Sequence, residues 1–123
     1  MRPATVRFEK GVIVSIGDGD ADVDLGDLVI MPGLVDSHVH VNEPGRTDWE
    51  GFATATRAAV AGGTTSIVDM PLNSIPPTTT VAALEQKRHA AQGQLSADVA
   101  FWGGIVPGSR DSARPLVEAG VCG

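Results

Sequence analysis

The sequence has little cysteine, little aromatic content and no cluster of basic residues. One cysteine is present and tyrosine is missing, and aromatic residues make up 4% of the 123 residues. The single Cys122 excludes an internal disulfide and is typical of a reducing compartment, so we expect a cytoplasmic location. Nine basic against fifteen acidic residues give a net charge of −6. This balance argues against nucleic acid or an anionic membrane as the main partner.

Long hydrophobic runs are missing as well. No stretch approaches the roughly 18 apolar residues that cross a bilayer, and the N-terminus lacks the apolar centre of a signal peptide. We therefore expect no membrane association. Hydrophobic residues still make up 42% of the chain, which is enough to bury a core. The length is that of one domain.

The pattern of apolar residues predicts a β-hairpin at the start of the chain. Two β-branched runs flank the turn sequence Glu9-Lys10-Gly11. An acidic loop follows, and strand character resumes from Leu28 to Val41 with a break at Pro32-Gly33. The second part of this run, Leu34 to Val41, is typical of a buried strand.

Strands and helices alternate after this point. Thr47 to Glu50 match the T-x-x-E capping box, which predicts a helix over Gly51 to Ala61 that ends at Gly62-Gly63. The later elements are expected as a strand at 64–70, a helix at 81–91, a strand at 97–106, a short helix at 112–118 and the opening of a further strand at 121–123.

This element order predicts an α/β fold with right-handed βαβ crossovers and a parallel sheet. A (β/α)8 barrel needs about 250 residues, and this chain stops where a fourth barrel strand would begin. We therefore expect residues 33–123 to form the first βα units of an incomplete TIM barrel. Residues 1–32 are expected to be part of a separate small β domain.

Two of the three histidines, His38 and His40, lie one residue apart at the end of a predicted strand. Side chains alternate along a strand, so Asp36, His38 and His40 share one face. Two imidazoles at this spacing can bind one metal ion, although a zinc centre needs three or four ligands. Asp36 would then hold a histidine ring in one tautomer, or serve only as a hydrogen-bonding strand residue. The alternative for the pair is a chance occurrence in a strand, and His89 is expected on a solvated helix face.

The loops that follow the predicted strands carry further polar residues. Glu43 and Arg46 come directly after the histidines, and Asn73 lies in the loop after the next strand. Loops at the carboxyl ends of barrel strands contact substrate, which makes these three residues candidates for substrate binding. The alternatives are solvated side chains beside the Pro44-Gly45 turn and a turn-capping Asn73. Asp69 lies at the end of the predicted strand at 64–70, directly before the loop of Asn73, and a structural role is favoured for it.

Taken together, these motifs carry a family resemblance. MPGLVDSHVHV resembles the first barrel strand of the amidohydrolase superfamily, and EPGRTDWEGFATATRAAVAGGTTSIVDMPLNSIPPTT is similar to the allantoinase group of its cyclic amidohydrolases. Dihydroorotases would show an arginine in place of Asn42 and an M-P-N-T loop, so that group is disfavoured. The resemblance covers about residues 28–123, and the preceding hairpin fits the family's small β-sandwich domain.

The resemblance implies metal-dependent hydrolysis of a cyclic amide, with the ring opening of allantoin to allantoate as the expected reaction. His38 and His40 would ligate one of two divalent metals, expected as zinc, with iron, cobalt or manganese as alternatives. A carbamylated lysine downstream of Gly123 would bridge the two ions. The acid/base aspartate is also expected downstream, so this chain would hold no catalytic residue and would be inactive alone. A homo-oligomer, as a tetramer, is expected for the intact enzyme.

The sequence is compatible with two other functions. A dihydropyrimidinase or hydantoinase would use the same chemistry on a different ring. A non-catalytic scaffold relative would keep the strand pattern without the reaction, although such relatives usually lose the metal ligands, and His38 and His40 are both present.

Overall fold

The computed structural model describes residues 2–123, which separate into two compact units. One unit ends at Met31 and the other runs from Pro32 to Gly123. The elements are β1 (Thr5–Glu9), β2 (Val12–Gly17), β3 (Leu34–Val39), α1 (Phe52–Ala61), β4 (Thr64–Asp69), α2 (Val81–Ala91), β5 (Asp98–Phe101), a 3-10 turn (Arg110–Ser112) and α3 (Ala113–Glu118). No helix within residues 2–123 is long and apolar enough to cross a membrane.

The first unit contains the predicted hairpin. Strands β1 and β2 pair antiparallel, and the turn between them places Lys10 at φ 50° and Gly11 at φ 79°. Positive φ at both central residues is the requirement of a tight two-residue hairpin turn, which a lysine followed by glycine can meet. The prediction of a strand that begins at Leu28 was wrong for residues 28–33, which pair with no strand within residues 2–123.

The second unit contains an open parallel sheet in the order β3-β4-β5. Its strands are connected by α1 and α2, so the predicted strand–helix alternation and parallel pairing are confirmed. Helix α2 covers the same residues as predicted, and α3 lies within the predicted short helix. Beyond α3, the Cys122 amide donates to the carbonyl of Phe101 at 2.8 Å, so the chain lies beside the end of β5 at this point.

Two of the strand predictions needed correction. Leu34 and Val35 are 53% and 67% exposed, not buried, because β3 is an edge strand whose one partner within residues 2–123 is β4. Strand β5 ends at Phe101 rather than Val106, since the chain leaves the sheet after Trp102 and the Gly104 amide donates to the carbonyl of Thr78 at 2.8 Å.

The core lies between the sheet and its helices. Phe52 at the start of α1 is fully buried and meets Phe101 of β5 edge to face, with ring centroids 6.2 Å apart. Such aromatic pairs contribute about 0.5–1.5 kcal/mol beyond the area that they bury. The other large buried apolar residues are Val41, Ile67, Leu84, Leu116 and Val121.

Replacing Phe52 by alanine should lower the free energy of unfolding by about 3–5 kcal/mol, because it removes a buried ring and leaves a cavity against Phe101. Denaturant unfolding of the full-length protein measures the change. The control is Val117→Ala in α3, which is 61% exposed and should change stability by no more than about 0.5 kcal/mol. A loss at Phe52 as small as that of the control would contradict the core described above.

Candidate active site at the end of strand β3

The rings of His38 and His40 lie beside each other at the carboxyl end of β3. Their centroids are 5.4 Å apart and the ring planes are inclined by 58°. This separation places both side chains on the same side of the strand, as alternation along β3 requires. His38 is exposed and His40 is partly buried, whereas His89 lies exposed on α2, as predicted.

The peptide groups on both sides of His40 are fixed by β4. The carbonyl of Val39 accepts a hydrogen bond from the Met70 amide at 2.8 Å. The amide of Val41 donates to Oδ1 of Asp69 at 2.7 Å. The second bond replaces a main-chain ladder bond by a side-chain one at the point where the strand ends. The backbone of His40 is therefore held from the residue before it and from the residue after it.

Asp69 forms a buried ion pair with Lys87. Its Oδ2 lies 2.6 Å from Nζ of Lys87, and the two side chains are 0% and 1% exposed. Nζ of Lys87 also donates to the carbonyl of Met70 at 3.0 Å. Burial raises the pKa of Asp69 above its ordinary value, and Lys87, the Val41 amide and His40 offset part of that rise. The structural role favoured for Asp69 agrees with these contacts.

Lys87 is the residue that the sequence analysis missed. It lies in the charged stretch EQKRH, which ends at His89 and whose composition predicts the same solvated helix face. A signal was nevertheless present, because Leu84, Lys87 and Ala91 follow one another at intervals of three and four residues and so share one face of α2. All three are buried. A lysine on an otherwise apolar helix face indicates a buried acidic partner, since an unpaired charge is too costly there.

The carboxylate of Asp36 has a different contact from the expected one. Its Oδ1 accepts from the main-chain amide of His38 at 3.0 Å, and not from an imidazole. Aspartate side chains often bond to the backbone two residues ahead in this way, in competition with sheet pairing. The bond accompanies the break in β3–β4 register between Asp36 and Val39. Asp36 thus shapes the backbone under His38 in this structure.

Asn73 is the one predicted loop residue that lies against a histidine ring. Its Nδ2 is 3.4 Å from Nδ1 of His40, and its backbone has φ 73°, a conformation that asparagine tolerates better than most residues. Arg46 instead stacks over the ring of Trp49, with Cζ 4.7 Å from the centroid.

The carboxylate of Glu43 caps helix α1. Its Oε2 accepts from the amide of Phe52 at 2.8 Å, and its Oε1 lies 3.4 Å from Nε2 of Gln94. The predicted capping box was wrong, since the N-cap residue is Gly51 and has no side chain to contribute. The carboxylate of Glu50 instead accepts from the Gly51 amide at 3.1 Å.

The two imidazoles have the right chemistry for a divalent transition metal but supply only part of a coordination shell. Across residues 2–123, no cluster of three or more His, Cys, Asp or Glu side chains is placed to hold an ion. Two residues after His40, the buried Asn42 has a side-chain oxygen without a hydrogen-bond partner among the described residues. A buried acceptor of this kind is one that a water molecule or ligand commonly satisfies. The two imidazoles therefore fit part of the ligand set of a divalent metal ion, and the remaining ligands are not among residues 2–123.

Comparison with known proteins shows the family of the chain. Residues 29–118 match the sequence profile of the amidohydrolase family. The chain belongs to the amidohydrolase family. This assignment confirms the resemblance that the H-x-H strand indicated.

Relatives within the family are similar over nearly the whole chain. The identity is 57% to a protein named allantoinase from Streptomyces avermitilis, across 99% of this chain and 29% of the relative. It is 48% to the allantoinase of Saccharomyces cerevisiae, across 99% of this chain and 30% of the relative. The fold matches L-hydantoinase (dihydropyrimidinase) from Arthrobacter aurescens with a TM-score of 0.87 at 33% identity, across 96% of this chain and 28% of that one. The chain thus spans less than a third of the length of these relatives.

Removing the Glu43 carboxylate should destabilise the start of α1. Glu43→Ala leaves the Phe52 amide without its acceptor and should lower the free energy of unfolding by about 1 kcal/mol, the usual cost of losing a helix cap. Glu43→Gln keeps an acceptor oxygen and should cost less. Asp48→Ala, at an exposed position in the same loop, is the control. A raised KM in Glu43→Ala with unchanged stability would point to the predicted substrate contact instead of the cap.

Proposed function

We propose that this chain is part of a metal-dependent hydrolase that opens the ring of allantoin to give allantoate. The observation that carries the proposal is the pair of adjacent imidazoles, 5.4 Å apart at the carboxyl end of a parallel strand, in a chain 57% identical to an allantoinase. The reaction adds one water across a ring C–N bond. Neutral cyclic amides react slowly with water, so a hydrolase for them needs an activated nucleophile and a polarised carbonyl.

His38 and His40 are the residues that would hold the metal. When bound, a divalent metal supplies a Lewis acid that polarises the amide carbonyl and lowers the pKa of water towards neutrality. The side-chain amide of Asn73 lies beside Nδ1 of His40, with Nδ2 3.4 Å away. A metal on Nε2 would leave the proton on Nδ1, so the amide would orient the ring only with its oxygen turned towards it; with Nδ2 on that side it would instead donate to a substrate carbonyl. Arg46 and Glu43 remain candidates for substrate contact from the loop after β3, although Glu43 is engaged with α1.

The remaining parts of the machinery would come from outside these 123 residues. We propose that the open sheet β3-β4-β5 is the first portion of a TIM barrel, and that residues 1–32 belong to a small β-sandwich domain. A second metal, a bridging carbamylated lysine and the acid/base aspartate would lie further along the full-length protein. Zinc, iron, cobalt and manganese all suit the two imidazoles. We also propose a homo-tetramer and a cytoplasmic location; one relative, from Aquarana catesbeiana, is named a mitochondrial allantoinase.

A hydantoinase or dihydropyrimidinase function is the second candidate. The specific observation in its favour is the fold match to L-hydantoinase at a TM-score of 0.87. The sequence identities favour allantoinase, at 57% against 33%. Both functions share the metal chemistry and differ in the ring that the substrate loops accept.

The metal role of the histidine pair is tested by substitution in the full-length protein. His38→Ala and His40→Ala should each reduce bound metal and lower kcat/KM for allantoin by more than about 100-fold, beyond the 10- to 100-fold cost of losing an outer partner of a ligand. His89→Ala is the control and should behave as wild type. Metal content by mass spectrometry and a chelator titration give the readout. Full metal content in both variants would exclude the pair as ligands.

The choice of substrate is tested by comparing specificity constants. The full-length protein should hydrolyse allantoin with a kcat/KM at least about tenfold above that for hydantoin or dihydrouracil, a difference of about 1.4 kcal/mol in the transition state. A preference for either of the other two rings would assign the second candidate function. Absence of turnover on all three by a metal-loaded protein would favour the scaffold alternative.

A further inference from the structure

The buried pair Asp69–Lys87 lies next to the candidate metal ligands without touching them. Asp69 receives the Val41 amide on one oxygen and the Lys87 ammonium on the other, at 2.7 and 2.6 Å. Val41 directly follows His40. The carboxylate of Asp69 is therefore hydrogen-bonded to the peptide group that joins His40 to Val41.

Lys87 also fixes the second contact on which His40 depends. Its ammonium donates to the carbonyl of Met70, and the amide of Met70 donates to the carbonyl of Val39, which precedes His40. One ammonium from α2 thus holds two consecutive residues, Asp69 at the end of β4 and Met70 directly after it. These two residues hold the peptide groups on either side of His40.

We propose that Asp69 and Lys87 are positioning residues for the metal ligand His40. This inference rests on the proposed metal role of the histidine pair. At the carboxyl end of β3, the Met70 amide and the Asp69 carboxylate hold the peptide groups on either side of His40. The Asp69 carboxylate fixes the direction in which the His40 Cα–Cβ bond leaves the backbone. A ligand held in place before the metal arrives binds it more tightly, because less conformational freedom is lost on binding.

A purely structural role for the pair makes a different prediction. Buried ion pairs can often be exchanged for apolar residues of similar volume without loss of stability. If the pair only fills the space between β4 and α2, such an exchange should leave metal binding unchanged. If it positions His40, metal affinity should depend on whether residue 69 can still accept the Val41 amide.

Two double variants of the full-length protein separate these roles. Asp69→Leu with Lys87→Met removes the acceptor for the Val41 amide, whereas Asp69→Asn with Lys87→Met retains a side-chain oxygen at that position. The two variants differ only at residue 69. We expect the asparagine variant to keep metal affinity within about threefold of wild type, and the leucine variant to lose about 10- to 100-fold, as for other groups that orient a metal ligand. Arg114→Met with Glu118→Gln, which removes the exposed pair of α3, is the control and should change nothing.

Metal dissociation constants, measured by chelator competition, and thermal unfolding of the metal-free protein are the readouts. Equal metal affinity in the two folded double variants would overturn the proposal. If the leucine variant does not fold, a tenfold loss of affinity in the folded asparagine variant, which retains the acceptor, would also overturn it. A wild-type protein that binds no metal would instead refute the proposed function on which the inference rests.

Amide hydrogen exchange on the wild-type full-length protein provides a test that does not depend on a variant folding. The Val41 amide should remain protected after the metal is removed, because Asp69 and not the metal holds it. Exchange of this amide at the rate of an unprotected loop in the metal-free protein would overturn the proposal.

Discussion

The carboxylate of Asp69 is the group on which the arrangement of this chain most depends. It is fully buried, and its two oxygens join three elements: the end of β3 through Val41, its own strand β4, and helix α2 through Lys87. Removing one partner of a buried ion pair commonly costs about 3–5 kcal/mol, because the other charge is left without compensation. Positions 69 and 87 are therefore physically coupled although they are distant in the sequence, and the main chain at Val41 depends on the same carboxylate. A substitution at either Asp69 or Lys87 changes what the other position can tolerate.

The two ends of β3 differ in how far their side chains are buried. Its first residues, Leu34 and Val35, are exposed on a strand with one neighbour, whereas Val41 just beyond its end is fully buried. The histidines lie at the transition between these environments. His38 is open to solvent while the backbone of His40 is held on both sides. An exposed ring at His38 beside a fixed backbone at His40 suits a pair of side chains that must meet a ligand from outside the chain.

The sequence predicted most of the fold because its signals are local. Alternating apolar residues and Gly or Pro breaks marked the hairpin, the strand order and α2, and the H-x-H spacing marked the histidine pair. The contacts that organise the site are not local. Glu43 caps a helix that begins nine residues later, and so displaces the capping box that Thr47 and Glu50 would form. Lys87 pairs with Asp69 across a separation of eighteen residues. Local patterns contain no information on which distant partner a charged side chain meets. For that reason the charged stretch EQKRH predicts a solvated helix face, although its Lys87 is buried.

The sheet has a further consequence for the order in which the molecule can form. Strands β3 and β4 pair residues about thirty positions apart, and so do β4 and β5; such modest separations keep the entropy cost of closing each loop low. Every group that fixes the backbone of His40 lies before the end of α2. A chain that emerges from the ribosome can therefore complete the first βαβ unit and helix α2, and so fix the backbone of this histidine, while later residues are still being added. The ligand geometry would then be a starting condition for the assembly of the rest of the protein.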